Sequence, residues 1–276
     1  MKRAAVTGDP VDHSLSPVMH NAAFRELGID AVYELWPATA AELPDVIQQV
    51  RQHDVLGLNV TVPHKPAVFA LVDEVRDTAR RIGAVNTVIP MNGRLAGDNT
   101  DVYGFTRSIE EAADAPRGTG LVLGAGGASA AVLLAMSGMG LDRILLTNRT
   151  RSRAENLANS LDIANLDVVD ESEIPANLPE VGIVVNATSV GWHDEATPLA
   201  ADAIASLPVG SIAVDLTYRE TTFLRLARER GLHAIDGLGM LIHQGARSFE
   251  LWTGEKAPVD VMRQAVIAEQ RRRAGA

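Results

Sequence analysis

The sequence predicts an α/β protein in two domains. The N-terminal one is a substrate-type α/β domain on a parallel or mixed sheet, and the second is a doubly wound parallel sheet. Three observations carry this. Short apolar runs alternate with longer helix-periodic stretches, the pattern of strand–helix–strand units. Gly124-Ala125-Gly126-Gly127-Ala128-Ser129 follows the apolar run 121–123 and opens an Ala/Leu/Met stretch over 128–139. Strand, glycine turn, helix is the order that a dinucleotide site of the Rossmann type requires. Finally, Ala115-Pro116-Arg117-Gly118 has linker composition just before that strand. The expected domains are 1–102 and 103–238, with helices from 239–276 packing back on the first.

Composition narrows the function classes. The chain has 276 residues, 46% apolar and 22% charged, which suits ordinary buried cores. A net charge of −10 argues against nucleic acid as a partner. There is no cysteine, so disulfide and thiolate chemistry are excluded. No run approaches a membrane span, and Met-Lys-Arg leads directly into a strand. A cytoplasmic enzyme or binding protein is expected, as a monomer or homodimer, with no membrane partner. No His/Asp/Glu cluster has metal spacing, so no metal is expected.

In chain order, 3–7 reads as a strand broken by Gly8-Asp9-Pro10. Ser14-Leu15-Ser16-Pro17 then opens a helix to residue 27, with Met19, Ala23 and Leu27 on one face. Ser16 ahead of Pro17 reads as the N-cap, and the two serines flanking Leu15 also suit the presentation of hydroxyls to a polyol; spacing favours the cap and leaves both readings open. Residues 31–36 are a strand, 41–52 a helix and 56–62 a third strand. Alternation puts Asn59 and Thr61 on one face of it, and Leu58, Val60 and Val62 on the other. Asn59, Thr61 and Lys65 lie at the carboxyl end, where ligands bind in such sheets. Residues 77–82 form a short helix. Residues 84–90 and 95–97 pair as a hairpin about Asn92-Gly93. The polar stretch 97–101 precedes a helix over 103–112.

The second domain continues with a strand at 143–147 and a helix at 151–160. Strands follow at 165–169, 182–185, 211–216 and 233–235, with a helix at 222–229. Two helices close the chain, one with Leu241, Gly245, Phe249 and Trp252 on a face.

The end of strand 143–147 bears on cofactor choice. A site for NAD usually carries Asp or Glu about 20 residues past the glycines, on the ribose 2′-hydroxyl. Here Asn148, Arg149, Thr150, Arg151 and Arg153 stand instead. Guanidinium and hydroxyl groups suit a 2′-phosphate. Arginines at a helix start oppose its dipole and so need another reason to be there. The cofactor expected is NADP(H). Ser129 stands where the third fingerprint position is usually Gly or Ala.

Taken together, eight ordered stretches resemble the shikimate dehydrogenase family. They are Ser-Leu-Ser-Pro (14–17), Asn-Val-Thr-Val-Pro-His-Lys (59–65), Gly-Ala-Val-Asn-Thr (83–87), Gly-Asp-Asn-Thr-Asp (97–101), Gly-Ala-Gly-Gly-Ala (124–128), Asn-Arg-Thr (148–150), Asn-Ala-Thr-Ser (186–189) and Gly-Leu-Gly-Met-Leu-Ile-His-Gln-Gly-Ala (237–246). The resemblance implies reversible reduction of 3-dehydroshikimate to shikimate with NADPH, within aromatic amino-acid biosynthesis. It implies that Ser14 and Ser16 bind the substrate carboxylate, that Asn59, Thr61, Asn86, Tyr218 and Gln244 contact the substrate, and that Lys65 and Asp101 form the catalytic pair. Gly124, Ala125, Gly126, Gly127 and Ala128 would cradle the pyrophosphate. Asn148, Arg149, Thr150 and Arg153 would take the 2′-phosphate. Ala187, Leu216, Gly237 and Met240 would lie near the nicotinamide half, and Asp77 maps to a further cofactor position. The sequence departs from the family pattern at Val102, Trp192 and Arg219-Glu220.

Three rivals are weaker. A quinate/shikimate dehydrogenase working oxidatively with NAD would carry an acid near Arg149. A non-catalytic ring-acid sensor would lack Lys65 or Asp101 or add a DNA-binding segment. A folate dehydrogenase does not suit the stretches 14–17 and 243–246.

Overall fold

The computed structural model describes residues 1–275. The chain divides into two compact units, Met1–Thr100 with the stretch from Ile242, and Asp101–Leu241. Asp101 and Val102 therefore belong with the second unit, as do residues 239–241.

The first unit is built on a mixed six-stranded sheet. Its strands are β1 (Lys2–Thr7), β2 (Ala31–Leu35), β3 (Val55–Val60), β4 (Glu74–Val75), β5 (Thr87–Met91) and β6 (Arg94–Asp98), in the order β2-β1-β3-β5-β6-β4. β1 pairs in parallel with β2 and β3, while β5 runs antiparallel to β3 and β6. The small buried Ala4 and Ala5 of β1 allow helices close to the sheet centre. Helix Ser16–Glu26 buries Met19, Ala23 and Phe24, and packs against the C-terminal helix Val259–Ala274 through its Met262 and Val266 face. A second core gathers Leu43, Ile47, Leu58, Val60 and Val88.

β3 ends at Val60, and Val62 is 63% exposed, so the expected apolar face stops one alternation early. The run into Pro63 cannot continue the ladder, because proline has no N–H to donate. The N-cap expected at Ser16 is also corrected. Leu15 is the N-cap and has no side-chain cap bond; Ser14 Oγ accepts from the Ser16 N–H at 3.2 Å. Ser14 is thus the residue that satisfies a first-turn donor, and Ser16 is buried within the turn.

The second unit is an all-parallel sheet. Its strands are β7 (Thr119–Leu123), β8 (Arg143–Thr147), β9 (Leu166–Val168), β10 (Val181–Asn186), β11 (Ile212–Asp215) and β12 (His233–Ile235), in the order β12-β11-β10-β7-β8-β9. Counted from β7, this is the 3-2-1-4-5-6 order of a dinucleotide-binding doubly wound sheet. Helix Ser129–Ser137 is apolar on every side and buried through Met136, as a helix covered all round must be. Helix Asp101–Ala112 packs on it and buries Phe105 and Ile109. Leu121, Leu145, Val184, Phe223 and Leu224 form the core on one side of the sheet. No helix among the described residues is long and apolar enough to cross a membrane.

Candidate active site

The carboxyl ends of β7 and β10 are neighbours in the second sheet, and there the strand order reverses. Such a switch point opens a crevice for a dinucleotide. Gly124 leaves β7 with φ +106°, a conformation that glycine alone adopts readily, and a Cβ there would lie 2.7 Å from Thr188 Cγ2. The Ala187 N–H bonds the Leu123 carbonyl at 2.9 Å, so the loop after β10 abuts the glycine turn. Gly127 is different: a Cβ there would meet nothing within 4 Å. The fold does not require glycine at that position, and its absent side chain leaves the backbone open to the close approach that a pyrophosphate needs.

Ser129, the departure from the fingerprint, holds this turn. Its buried hydroxyl donates to the Gly124 carbonyl at 2.8 Å and accepts from the Gly126 N–H at 2.9 Å. Asn148 clips the same turn from the next strand. Its Oδ1 accepts from the Ala125 N–H at 3.1 Å, and its Nδ2 donates to the Thr150 carbonyl at 2.9 Å.

The three arginines then separate. Arg151 reaches back to Glu155 at 2.8 Å and to Asp170 at 2.7 Å, and these two carboxylates raise its guanidinium further above its ordinary range. Among the described residues, Arg149 and Arg153 have no carboxylate within ion-pair distance. They line a pocket of about 290 Å³ together with Thr147, Asn148, Thr150, Thr188 and Ser189, and with one carboxylate, Glu171, that makes no ion pair with either. The Thr147 hydroxyl is buried without a hydrogen-bond partner among the described residues. Two uncompensated guanidinium groups, a threonine and an orphan hydroxyl suit a phosphate on a ribose.

On the other side of the switch point, Leu216 follows β11 and its N–H bonds the Asn186 carbonyl at 3.2 Å. Buried Asp215 organises this edge. Its carboxylate accepts from Asn186 Nδ2 (3.1 Å), the Thr221 hydroxyl (3.0 Å) and the Thr217 N–H (3.0 Å). Nothing in the sequence singled Asp215 out, because an acid ending an apolar strand reads as a turn signal. Gly237 packs so tightly on the Leu216 carbonyl that any side chain would overlap it, and its N–H bonds the Thr217 carbonyl at 2.6 Å. Met240 sits one turn on, half-buried, in helix Leu238–Thr253. The departures from the family pattern pack on one another. Trp192 meets Tyr218 edge-on, with centroids 5.7 Å apart, and Arg219 donates to the Trp192 carbonyl.

In the first unit, Ser16, Asn59 and Asn86 are buried, Thr61 and Ser14 half-buried. Lys65 begins a short helix, Lys65–Val68, that the proline-flanked sequence conceals. Two contacts fix its backbone. The buried His64 ring hydrogen-bonds the Ala38 carbonyl at 2.6 Å, and the Val85 N–H donates to the Lys65 carbonyl at 2.9 Å. Val85 precedes Asn86, whose Oδ1 accepts the Thr100 N–H at 2.8 Å, and Asp101 is the next residue. The stretches 59–65, 83–87 and 97–101 are thus stitched together. Asp101 is buried in the first turn of its helix, where the dipole favours a carboxylate. Gln244 and Ser248 share helix Leu238–Thr253 with Met240. Asp77 is exposed at the start of helix Asp77–Ile82 in the first unit, apart in the chain division from the other expected cofactor residues.

Fold and site together define a two-unit, dinucleotide-binding α/β protein. Three family models match: the shikimate dehydrogenase substrate binding domain over residues 6–88, shikimate / quinate 5-dehydrogenase over 110–193, and the shikimate 5′-dehydrogenase C-terminal domain over 237–267. A shikimate dehydrogenase (NADP(+)) of Symbiobacterium thermophilum is 45% identical, covering 95% of this chain and 92% of its own length. One from Methanopyrus kandleri is 44% identical over 96% of this chain and 94% of its own. The crystal structure of shikimate 5-dehydrogenase from Thermus thermophilus, in complex with NADP(H) and shikimate, matches with a TM-score of 0.88 at 42% identity, covering 97% of this chain and 99% of that one. The chain belongs to the shikimate dehydrogenase family.

Proposed function

We propose that the chain is an NADP-dependent shikimate dehydrogenase, reducing 3-dehydroshikimate to shikimate and running the reverse reaction. The observation that carries the cofactor choice is the pair Arg149 and Arg153, uncompensated beside Thr150 at the end of β8. Family membership carries the ring-acid substrate, and the polar residues at the carboxyl end of β3 suit a hydroxylated acid. The nicotinamide supplies a hydride to the ketone carbon. Negative charge then develops on the ketone oxygen, and Lys65 would stabilise it and deliver the proton that completes the alcohol. Asp101 would orient the ammonium and accept from a neighbouring substrate hydroxyl. Ser14 and Ser16 would bind the carboxylate, and Thr61, Asn86, Tyr218 and Gln244 the ring hydroxyls. Gly127 and the first turn of helix Ser129–Ser137 would face the pyrophosphate, because the first N–H groups of a helix lack intrahelical partners.

Incubation of the protein with shikimate and NADP+ tests the reading. Stoichiometric 3-dehydroshikimate and NADPH are expected, with quinate turned over far more slowly. Faster oxidation of quinate, or no product from shikimate, would overturn it. Lys65→Ala is expected to lower kcat by about 10²–10⁴ with the KM for shikimate changed far less.

A further inference from the structure

Behind the polar face of the first unit runs a buried chain of side-chain hydrogen bonds whose members include Tyr33, Thr87, Thr100 and Ser248, none of them among the expected site residues. The Asn59 amide nitrogen lies 3.2 Å from the Asn86 main-chain carbonyl, 3.2 Å from Thr87 Oγ1 and 2.9 Å from Ser248 Oγ. A carbonyl only accepts, so the NH₂ must face this way. Asn59 Oδ1 therefore faces Tyr33, whose hydroxyl donates to it at 2.7 Å. The Ser16 side chain faces the same Tyr33 hydroxyl and favours its ionised form, against the larger opposing effect of burial. At the far end the Thr100 N–H, which only donates, fixes Asn86 Oδ1 at 2.8 Å, and the Thr87 hydroxyl donates to the same oxygen at 2.8 Å. Ser248 joins the two amides. It accepts from Asn59, lies 2.9 Å from Thr87 Oγ1 and 3.1 Å from the Gln244 carbonyl one turn back on its helix. Tyr33 and Ser248 are both essentially inaccessible, at 2% and 0% exposure.

Every amide orientation in this chain is thus dictated by a group that has only one polarity. We infer that Tyr33 and Ser248 are positioning residues for the substrate: Tyr33 fixes Asn59 on the side that Ser16 faces, and Ser248, which accepts from Asn59, shares its one proton between Thr87 Oγ1, which leads to Asn86, and the Gln244 carbonyl. This rests on the reading of the face as the shikimate site. Asn59, with its amide wholly engaged, then acts as the hub that holds its neighbours rather than as a free donor to the ring.

Tyr33→Phe tests this most cleanly, because the ring and its stack on His20 (4.3 Å) remain and one hydroxyl is lost. Ser248→Ala is the second variant. The KM and dissociation constant for shikimate are expected to rise by about tenfold in each, with the dissociation constant for NADP+ unchanged. A purely structural role would lower Tm and leave the shikimate constants of the folded fraction as they were; that result overturns the inference. Should Ser248→Ala fail to fold, Tyr33→Phe decides alone. Absence of shikimate turnover in the unsubstituted protein would instead remove the functional reading. The side-chain amide NMR signals of Asn59 and Asn86 then decide: shifted in Tyr33→Phe, they support the positioning chain, and unshifted, they overturn it.

Discussion

Arg149, Arg151 and Arg153 look alike in the sequence, yet their surroundings assign them different work. Arg151 is bound by Glu155 and Asp170, all three exposed on the surface, so its loss costs little. Arg151→Ala is expected to move Tm slightly and leave cofactor selection untouched, measured as the ratio of kcat/KM for NADPH and NADH. Arg149→Ala or Arg153→Ala should each cost about 1.5–3 kcal/mol in NADPH binding, roughly ten- to a hundredfold in KM, and leave NADH nearly unaffected. Equal loss with both cofactors would mean that these side chains support the fold and not the phosphate. Ser129 makes the same point about a departure from a motif. Its hydroxyl replaces glycine's conformational freedom at this position with two hydrogen bonds inside the turn. Ser129→Ala leaves the Gly126 N–H without that acceptor. Binding of NADP+ and NADH should weaken together, which calorimetry separates from the selective arginine effect.

At the scale of the element, helix Ser16–Glu26 carries a titratable group into the core. His20 is fully buried, stacked on Tyr33, with Phe249 and Trp252 on its other sides and Gly245 opposite. Neither ring nitrogen has a hydrogen-bond partner among the described residues. Burial pushes its pKa down from 6.5 to about 3. The folded state therefore holds the neutral ring, whereas the unfolded chain takes up a proton below pH 6.5. The unfolded state binds more protons across this window, so stability rises with pH there. Acidification from 6.5 towards about 3 should cost up to about 1.4 kcal/mol per pH unit from this group. Denaturant titrations across that range should show a slope that His20→Phe flattens; an unchanged slope would place the acid sensitivity elsewhere. Which elements were legible in the sequence follows the same physics. The strands Arg143–Thr147 and His233–Ile235 matched to the residue, because apolar runs bounded by turn residues have one reading. The two-residue β4, the helix Lys65–Val68 and the helix Ala201–Ser206 went unseen. Each is too short to show a period. Asn148 and Asn59 are expected at the site from the sequence, but not their hydrogen bonds to Ala125 and to Tyr33 and Ser248, since bonds to segments far away in sequence leave no local pattern.

At the scale of the whole molecule, the division into two units separates the two recognition problems along the chain. The second unit holds the switch point, the glycine turn and the arginine pocket, and the first unit holds the buried amide chain and Lys65. Only Asp101 and Tyr218 of the expected catalytic and substrate residues fall in the second unit. Substitutions in one unit should therefore move the constants of one ligand chiefly: Arg149 those of the dinucleotide, Tyr33 those of the ring acid. The most direct measurement is 3-dehydroshikimate-dependent oxidation of NADPH, run beside NADH on the same protein. Rapid turnover with NADPH and little with NADH is the result predicted by Arg149 and Arg153. Turnover mainly with NADH would contradict the phosphate pocket, and turnover with neither would contradict the assignment of the reaction itself.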